Sequence, residues 1–190
     1  MLTFSVLGLA IVNLSNDFLM FYLAIELQSL CFYSLAALNK SSEFSAEASI
    51  KYFVLGALSS GLLLLGFALY YASLGAISFE FLERLNVSNG SLAASCACLL
   101  FSIALLFKLG SFPFHKWLCD VYDGSIINVT AFFSSIPKLI LISFFFRVVY
   151  TSFADGSVSL DLLIIFSALG SICFAAVAAL YQKRLKRLLA

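Results

Sequence analysis

Three ionisable residues stand where charge is costly. Glu26 lies midway along Phe21-Tyr22-Leu23-Ala24-Ile25-Glu26-Leu27-Gln28-Ser29-Leu30, Lys108 follows Leu105-Leu106-Phe107, and Lys138 follows Pro137 near the centre of a further apolar run. A charge at the centre of a bilayer costs about 3 kcal/mol on insertion scales, so each must find a partner, a water path or a neutral form. Burial penalises the charged form of amine and carboxyl alike, and a neighbouring opposite charge restores it. An amine held by Glu26 therefore keeps its proton, and opening the pair favours release to the next acceptor. Proton transfer is the chemistry these residue types offer. The same pattern also reads as a static buried ion pair that fixes helix register.

Other candidates surround these three. His115, the single histidine of the chain, changes charge near neutral pH, which suits a relay between Lys108 and Lys138; beside Pro113 and Trp117 it reads equally as an interfacial anchor. Lys51, near a helix start, either snorkels to the interface or serves as a second partner for Glu26. Tyr22, Ser29, Ser59, Ser60, Ser111, Ser134 and Ser135 could hold water or pass protons, and hydroxyls are also ordinary glue between helices. The cysteines, Cys31, Cys96, Cys98, Cys119 and Cys173, lie in or beside apolar segments with no CxxC. They read as small packing residues rather than as metal or Fe–S ligands.

The elements that position these groups are apolar helices. Hydrophobic residues make up 63% of the 190 positions and charged ones 11%, with 21 Phe, a usage that excludes an ordinary soluble domain. The net charge of +1 points to neither nucleic acid nor an acidic partner. Runs of roughly 20 apolar residues, enough to cross a hydrocarbon core of about 30 Å, recur along nearly the whole chain. The expected fold is all-α and membrane-embedded, with about six transmembrane helices over 1–14, 17–38, 46–73, 91–121 with an interruption, 126–150 and 160–182. Polar punctuation falls at Asn13 to Asn16, Asn39 to Ser42, Asn86 to Gly90, Asp123 to Ser125 and Asp155 to Ser159. Residues 76–85, with Ile77, Phe79, Phe81, Leu82 and Leu85 among Glu80, Glu83 and Arg84, fit a short amphipathic interfacial segment. The first helix is short for a full crossing, and no cleavable leader is evident because Asn13, Ser15, Asn16 and Asp17 lead straight into another span.

The fourth run is interrupted at Gly110 and Pro113, within Phe107-Lys108-Leu109-Gly110-Ser111-Phe112-Pro113-Phe114-His115. Pro113 removes a donor and clashes one turn back, and backbone freed in this way is tolerated at membrane depth only against protein or a hydrated cavity. Discontinuous helices of this kind mark ion sites in transporters. Pro137 invites a kink or π-bulge just before Lys138, or bends the helix to fit its neighbours. Alternating the loops puts Lys40, Lys51, Lys116, Lys183, Arg184, Lys186 and Arg187 on one side and Arg84 and Arg147 on the other. By the positive-inside rule the chain starts and ends on the basic side, cytoplasm or matrix.

FYLAIELQSLCFYSLAAL (21–38), SAEASIKYFVLGALSSGLLLLG (45–66), FKLGSFPFHKWLCDVYDGSIINVTAFFSSIPKLILISFFFRVV (107–149) and QKRLKRLLA (182–190) together resemble the NADH:ubiquinone oxidoreductase chain 2 family. The resemblance implies an antiporter-like, proton-pumping subunit of the complex I membrane arm, built from two inverted five-helix units. It implies that residues 1–150 form the first unit, with its broken fourth helix, and that 151–190 hold the sixth helix and a basic end leading to a second unit beyond this chain. Carried over, Glu26 is the acidic partner of Lys108, Lys138 the central-axis lysine and His115 a linking residue, with Lys51 and Lys186 at further basic positions. Such a chain is a non-redox subunit of a proton-translocating NADH:ubiquinone reductase.

The resemblance also sets expectations about surroundings. Flavin, Fe–S clusters and quinone belong to other subunits, with no cofactor and no metal in this one. Expected partners are the other membrane-arm subunits, a second chain supplying the remaining unit of a split subunit, and membrane lipids, with no nucleic acid. A mitochondrial inner membrane fits that split better than a bacterial plasma membrane. The alternatives are a cation/proton antiporter subunit and a structural scaffold that no longer pumps, its charges kept as packing.

Overall fold

Apolar stretches and their polar ends become helices in nearly the expected places. The structure is a computed structural model that describes residues 1–79, 92–152 and 158–189. Its helices are α1 (Leu2–Leu14), α2 (Phe18–Ala36), α3 (Glu43–Leu74), α4 (Leu92–Leu109), α5 (Lys116–Gly124), α6 (Ile127–Ser152), α7 (Val158–Tyr181) and α8 (Leu185–Leu189). Phe18–Ala36, Glu43–Ser73, Ile127–Val148 and Leu160–Tyr181 are each long and apolar enough to cross a membrane. At 13 residues α1 spans only about 20 Å, short of a full crossing. The expected interrupted helix is the pair α4 and α5.

Local chemistry sets the ends. α3 stops at Gly75, whose left-handed φ of 70° suits glycine and whose N–H donates to the Tyr71 carbonyl at 2.8 Å. The α1–α2 turn is held by main chain further along: Phe18 N donates to Ile77 O at 3.1 Å and Phe79 N to Asn16 O at 2.9 Å. Arg147 of α6 donates to the carbonyls of Asn13, at 3.0 Å, and Ser15.

Within residues 76–85, Phe79 is buried, its ring meeting Phe18 at 4.6 Å and Phe144 at 5.7 Å, while Ile77 is exposed. The rest of that segment, including Glu80, Phe81, Leu82, Glu83, Arg84 and Leu85, lies outside the described residues, as do the expected loop at 86–90 and positions 155–157 of the last loop. α6 passes through Pro137 as continuous α-helix, without the expected π-bulge.

Helix α3 is the hub, packing on α2, α4 and α5, while α1 packs on α2 and α6, and α4 also touches α6 and α7. The aromatic centre is Phe21 stacked on Phe144 (3.8 Å, 9°), with Phe18, Phe67 and Phe101 around it. At one end Arg147 meets Asn13 and Ser15; at the other, Lys51, Arg184, Lys186 and Arg187 gather. The loop alternation expected from the sequence therefore holds for these residues.

Candidate functional site

The break between α4 and α5 is closed by its own backbone. Gly110 takes a left-handed φ of 75° and donates to Phe107 O at 3.0 Å, Ser111 N donates to Leu106 O at 3.1 Å, and Ser111 Oγ donates to the same carbonyl at 3.0 Å. Phe114 N then donates to Ser111 O at 2.7 Å, and Trp117 Nε1 reaches back from α5 to Phe107 O at 3.2 Å. The Leu106 and Phe107 carbonyls of the last turn of α4 are thus satisfied inside the protein, as membrane burial demands. Lys108 sits in this final turn, where the partial negative charge of a helix C-terminus favours a cation.

Lys108 Nζ donates to Ser60 Oγ of α3 at 3.4 Å. It opens on a cavity of about 50 Å³ that Lys138 of α6 also lines, so both amines share one space between α2, α3, α4, α5 and α6. A water needs roughly 10–15 Å³ of such space and several polar partners. Gln28, Ser29 and Tyr33 from α2, Tyr52 and Ser59 from α3 and Tyr122 from α5 supply them. Gln28 Oε1 is buried with no hydrogen-bond partner among the described residues, an acceptor suited to a water. Lys138 Nζ stands over the Tyr122 ring, 5.3 Å from its centroid.

Glu26 is half-buried on α2 and does not line this cavity. Its Oε1 is buried without a hydrogen-bond partner, and it forms no ion pair among the described residues. Glu26 and Lys108 thus form no ion pair here, and the Lys108 amine is held by Ser60 instead.

The other two expected site residues lie elsewhere. Lys51 is not a partner of Glu26: it bonds Glu47 at 2.8 Å and Asp120 at 3.0 Å, half-exposed in a charged depression of about 360 Å³. Arg187 also approaches Asp120 (3.6 Å), Asp123 takes Arg184 at 2.6 Å and Arg187 at 3.0 Å, and Lys186 donates to Ser125 O at 2.7 Å. These contacts tie α3, α5 and α8 together. His115 does not stand between the lysines. It faces α7 in a groove of about 470 Å³, its ring 4.0 Å from that of Phe174, with both nitrogens buried and lacking a hydrogen-bond partner among the described residues.

Sequence reading overlooked Gln28, Tyr33, Tyr52 and Tyr122 as cavity residues and Asp120 and Asp123 as anchors of the basic end. Gln28 carried a signal, since an amide two positions after Glu26 in an apolar helix asks for a partner. Asp120, Tyr122 and Asp123 belong to the quoted Asp-Val-Tyr-Asp-Gly run but had no assigned role. Tyr33 and Tyr52 look like any membrane aromatic until α2 and α3 are packed. Among the described residues no cluster of three or more His, Cys, Asp or Glu could hold a metal ion.

A polytopic helical membrane protein with an interrupted helix and two amines in one internal cavity is the class these features define. The family NADH:quinone oxidoreductase/Mrp antiporter, TM, matches residues 15–190, and the chain belongs to it. It is 41% identical over 187 residues to NADH-quinone oxidoreductase subunit N of Pelagibacter ubique, covering 98% of this chain and 39% of that protein. With NADH-ubiquinone oxidoreductase chain 2 of Marchantia polymorpha it shares 42% identity over 181 residues, 92% of this chain and 37% of the relative. A chain in the structure of respiratory complex I from Thermus thermophilus superposes with a TM-score of 0.82 at 31% identity, covering 98% of this chain and 40% of that one. The chain thus spans about two fifths of the length of the relatives it matches.

Proposed function

We propose that this chain is part of a proton-translocating membrane-arm subunit of an NADH:quinone oxidoreductase of the complex I type, moving protons without a redox group of its own. One observation carries the reading: Lys108 and Lys138, from different helices, line a single small polar cavity beside the helix break. Glu26 holds or frees the Lys108 proton as its distance changes. The freed proton passes by way of Ser60 and cavity water toward Lys138. Residues 1–150 act as one five-helix unit, and the remaining length of the relatives supplies the companion unit, on this polypeptide or another. Flavin, Fe–S clusters and quinone belong to other subunits of the assembly, which are the partners of this chain together with membrane lipids. The host membrane in this reading is the mitochondrial inner membrane; the bacterial plasma membrane is the other candidate, and the 42% and 41% identities to plant and bacterial relatives do not separate them.

A second reading, a cation/proton antiporter subunit, is favoured by the family's inclusion of Mrp antiporters. The test is Lys108→Ala in the assembled complex in sealed vesicles, following NADH oxidation and proton uptake together. Loss of proton movement per NADH supports the first reading. Proton movement that requires added sodium and not NADH supports the second, and wild-type behaviour in both assays leaves the lysines as scaffold.

A further inference from the structure

Glu26 and the lysine cavity are neighbours without a direct join, since Glu26 does not line the cavity and its Oε1 has no partner among the described residues. Further along α2, Ser29 and Tyr33 do line it. Positions 26, 29 and 33 follow the i, i+3, i+7 spacing of one helix face. The Tyr33 hydroxyl crosses to α3 and takes the place of a side chain at Gly56, where an added Cβ would lie 2.1 Å from Oη. Glycine inside a helix costs about 1 kcal/mol relative to alanine, so α3 gives up stability at the one position that this hydroxyl fills. Its ring is held edge-on by Tyr52 (4.9 Å) and Phe53 (5.5 Å). Ser29 Oγ, one turn before Tyr33 on this face, donates to the Glu26 main-chain carbonyl at 3.0 Å.

We propose that Tyr33 is a further proton-transfer residue, its hydroxyl seated in the hollow left by Gly56 and joining the Glu26 side of α2 to the cavity shared by Lys108 and Lys138. A phenol both donates and accepts. Oη takes a proton arriving from the Glu26 and Ser29 side as its own proton leaves to a cavity water or a neutral lysine amine. One O–H bond forms as another breaks, and no charge stays on the ring. This inference rests on the proton-translocation reading above.

The test uses the full complex in sealed vesicles with Tyr33→Phe, Gly56→Ala, both together, and Lys108→Ala. Tyr33→Phe keeps the ring contacts and removes only the hydroxyl, so assembly is unchanged and NADH-driven proton movement falls by about tenfold, a modest share of the usual contribution of a proton-transfer group. Gly56→Ala lowers the same quantity, because the new methyl displaces the hydroxyl, and adds little once Tyr33 is Phe. The solvent deuterium isotope effect on proton movement also changes in Tyr33→Phe, which a packing role alone would leave untouched. Wild-type proton movement in Tyr33→Phe, with Lys108→Ala inactive, overturns the role of Tyr33 and leaves the lysine path standing. Wild-type movement in Lys108→Ala removes the underlying reading instead. Should Gly56→Ala fail to assemble, Tyr33→Phe decides alone.

Discussion

Replacing Lys138 by methionine separates a working amine from a packed one. At membrane depth a charged amine costs about 3 kcal/mol. The visible offset is the Tyr122 ring 5.3 Å from Nζ, a cation–π contact of about 0.5–2 kcal/mol, together with whatever water the cavity of about 50 Å³ admits. Methionine is similar in length, unbranched and apolar, and adapts to irregular space. The difference leaves Lys138→Met more stable by about 1–2 kcal/mol, a rise of a few degrees in thermal midpoint for a chain of this size. Midpoints of the purified complex in detergent, read by loss of assembly on native gels, give the stability. Dye-quench proton uptake in vesicles gives the function, which should be lost. A lower midpoint would refute the reasoning about burial, because it would mean contacts to the amine outweigh its desolvation. Undiminished proton uptake would refute its role.

Glu26→Gln keeps the size of a side chain whose Oε1 makes no hydrogen bond among the described residues; the complex should assemble at wild-type levels, with proton uptake per NADH down about tenfold or more. Phe21→Ala removes a fully buried ring stacked on Phe144 at 3.8 Å and should cost about 3–5 kcal/mol, seen as sharply reduced subunit in the membrane fraction. Gly124→Val drives a side chain into Ala48 Cβ and the Phe44 carbonyl, which an added Cβ would meet at 2.6 and 2.7 Å; overpacking of about 1–3 kcal/mol should lower the thermal midpoint. Asp123→Asn removes the carboxylate charge facing Arg184 and one of the two facing Arg187, which keeps Asp120. At partly exposed pairs worth about 1 kcal/mol, α8 amides should exchange hydrogen roughly fivefold faster, read by mass spectrometry.

The helices were legible because each apolar run ends in polar residues that suit loops, and α1 to α3 begin and end within about three residues of expectation. Gly110 and Pro113 announced the break for a reason the structure bears out: one takes a φ that side chains resist and the other lacks a donor. Lys108 and Lys138 were visible as costly charges, and the cavity they share is what packing added. The partner of Lys51 was not legible because Asp120 is 69 residues away in sequence, on the helix segment that follows the break. The chemistry of His115 allows a relay or an anchor, and only its position just after the break, which turns it toward α7, shows its surroundings. Tyr33 could not be found in one dimension, since its significance lies in a missing side chain on another helix.

The shared cavity is tested most directly by NADH-driven proton uptake in Lys108→Ala, Lys138→Ala and the double variant, measured in the same vesicles and normalised to assembled complex. Two amines acting in sequence on one proton form a single unit, so each single variant should lose as much uptake as the double. Partial losses that multiply in the double variant would contradict this, because they would mean that the two lysines serve separate paths.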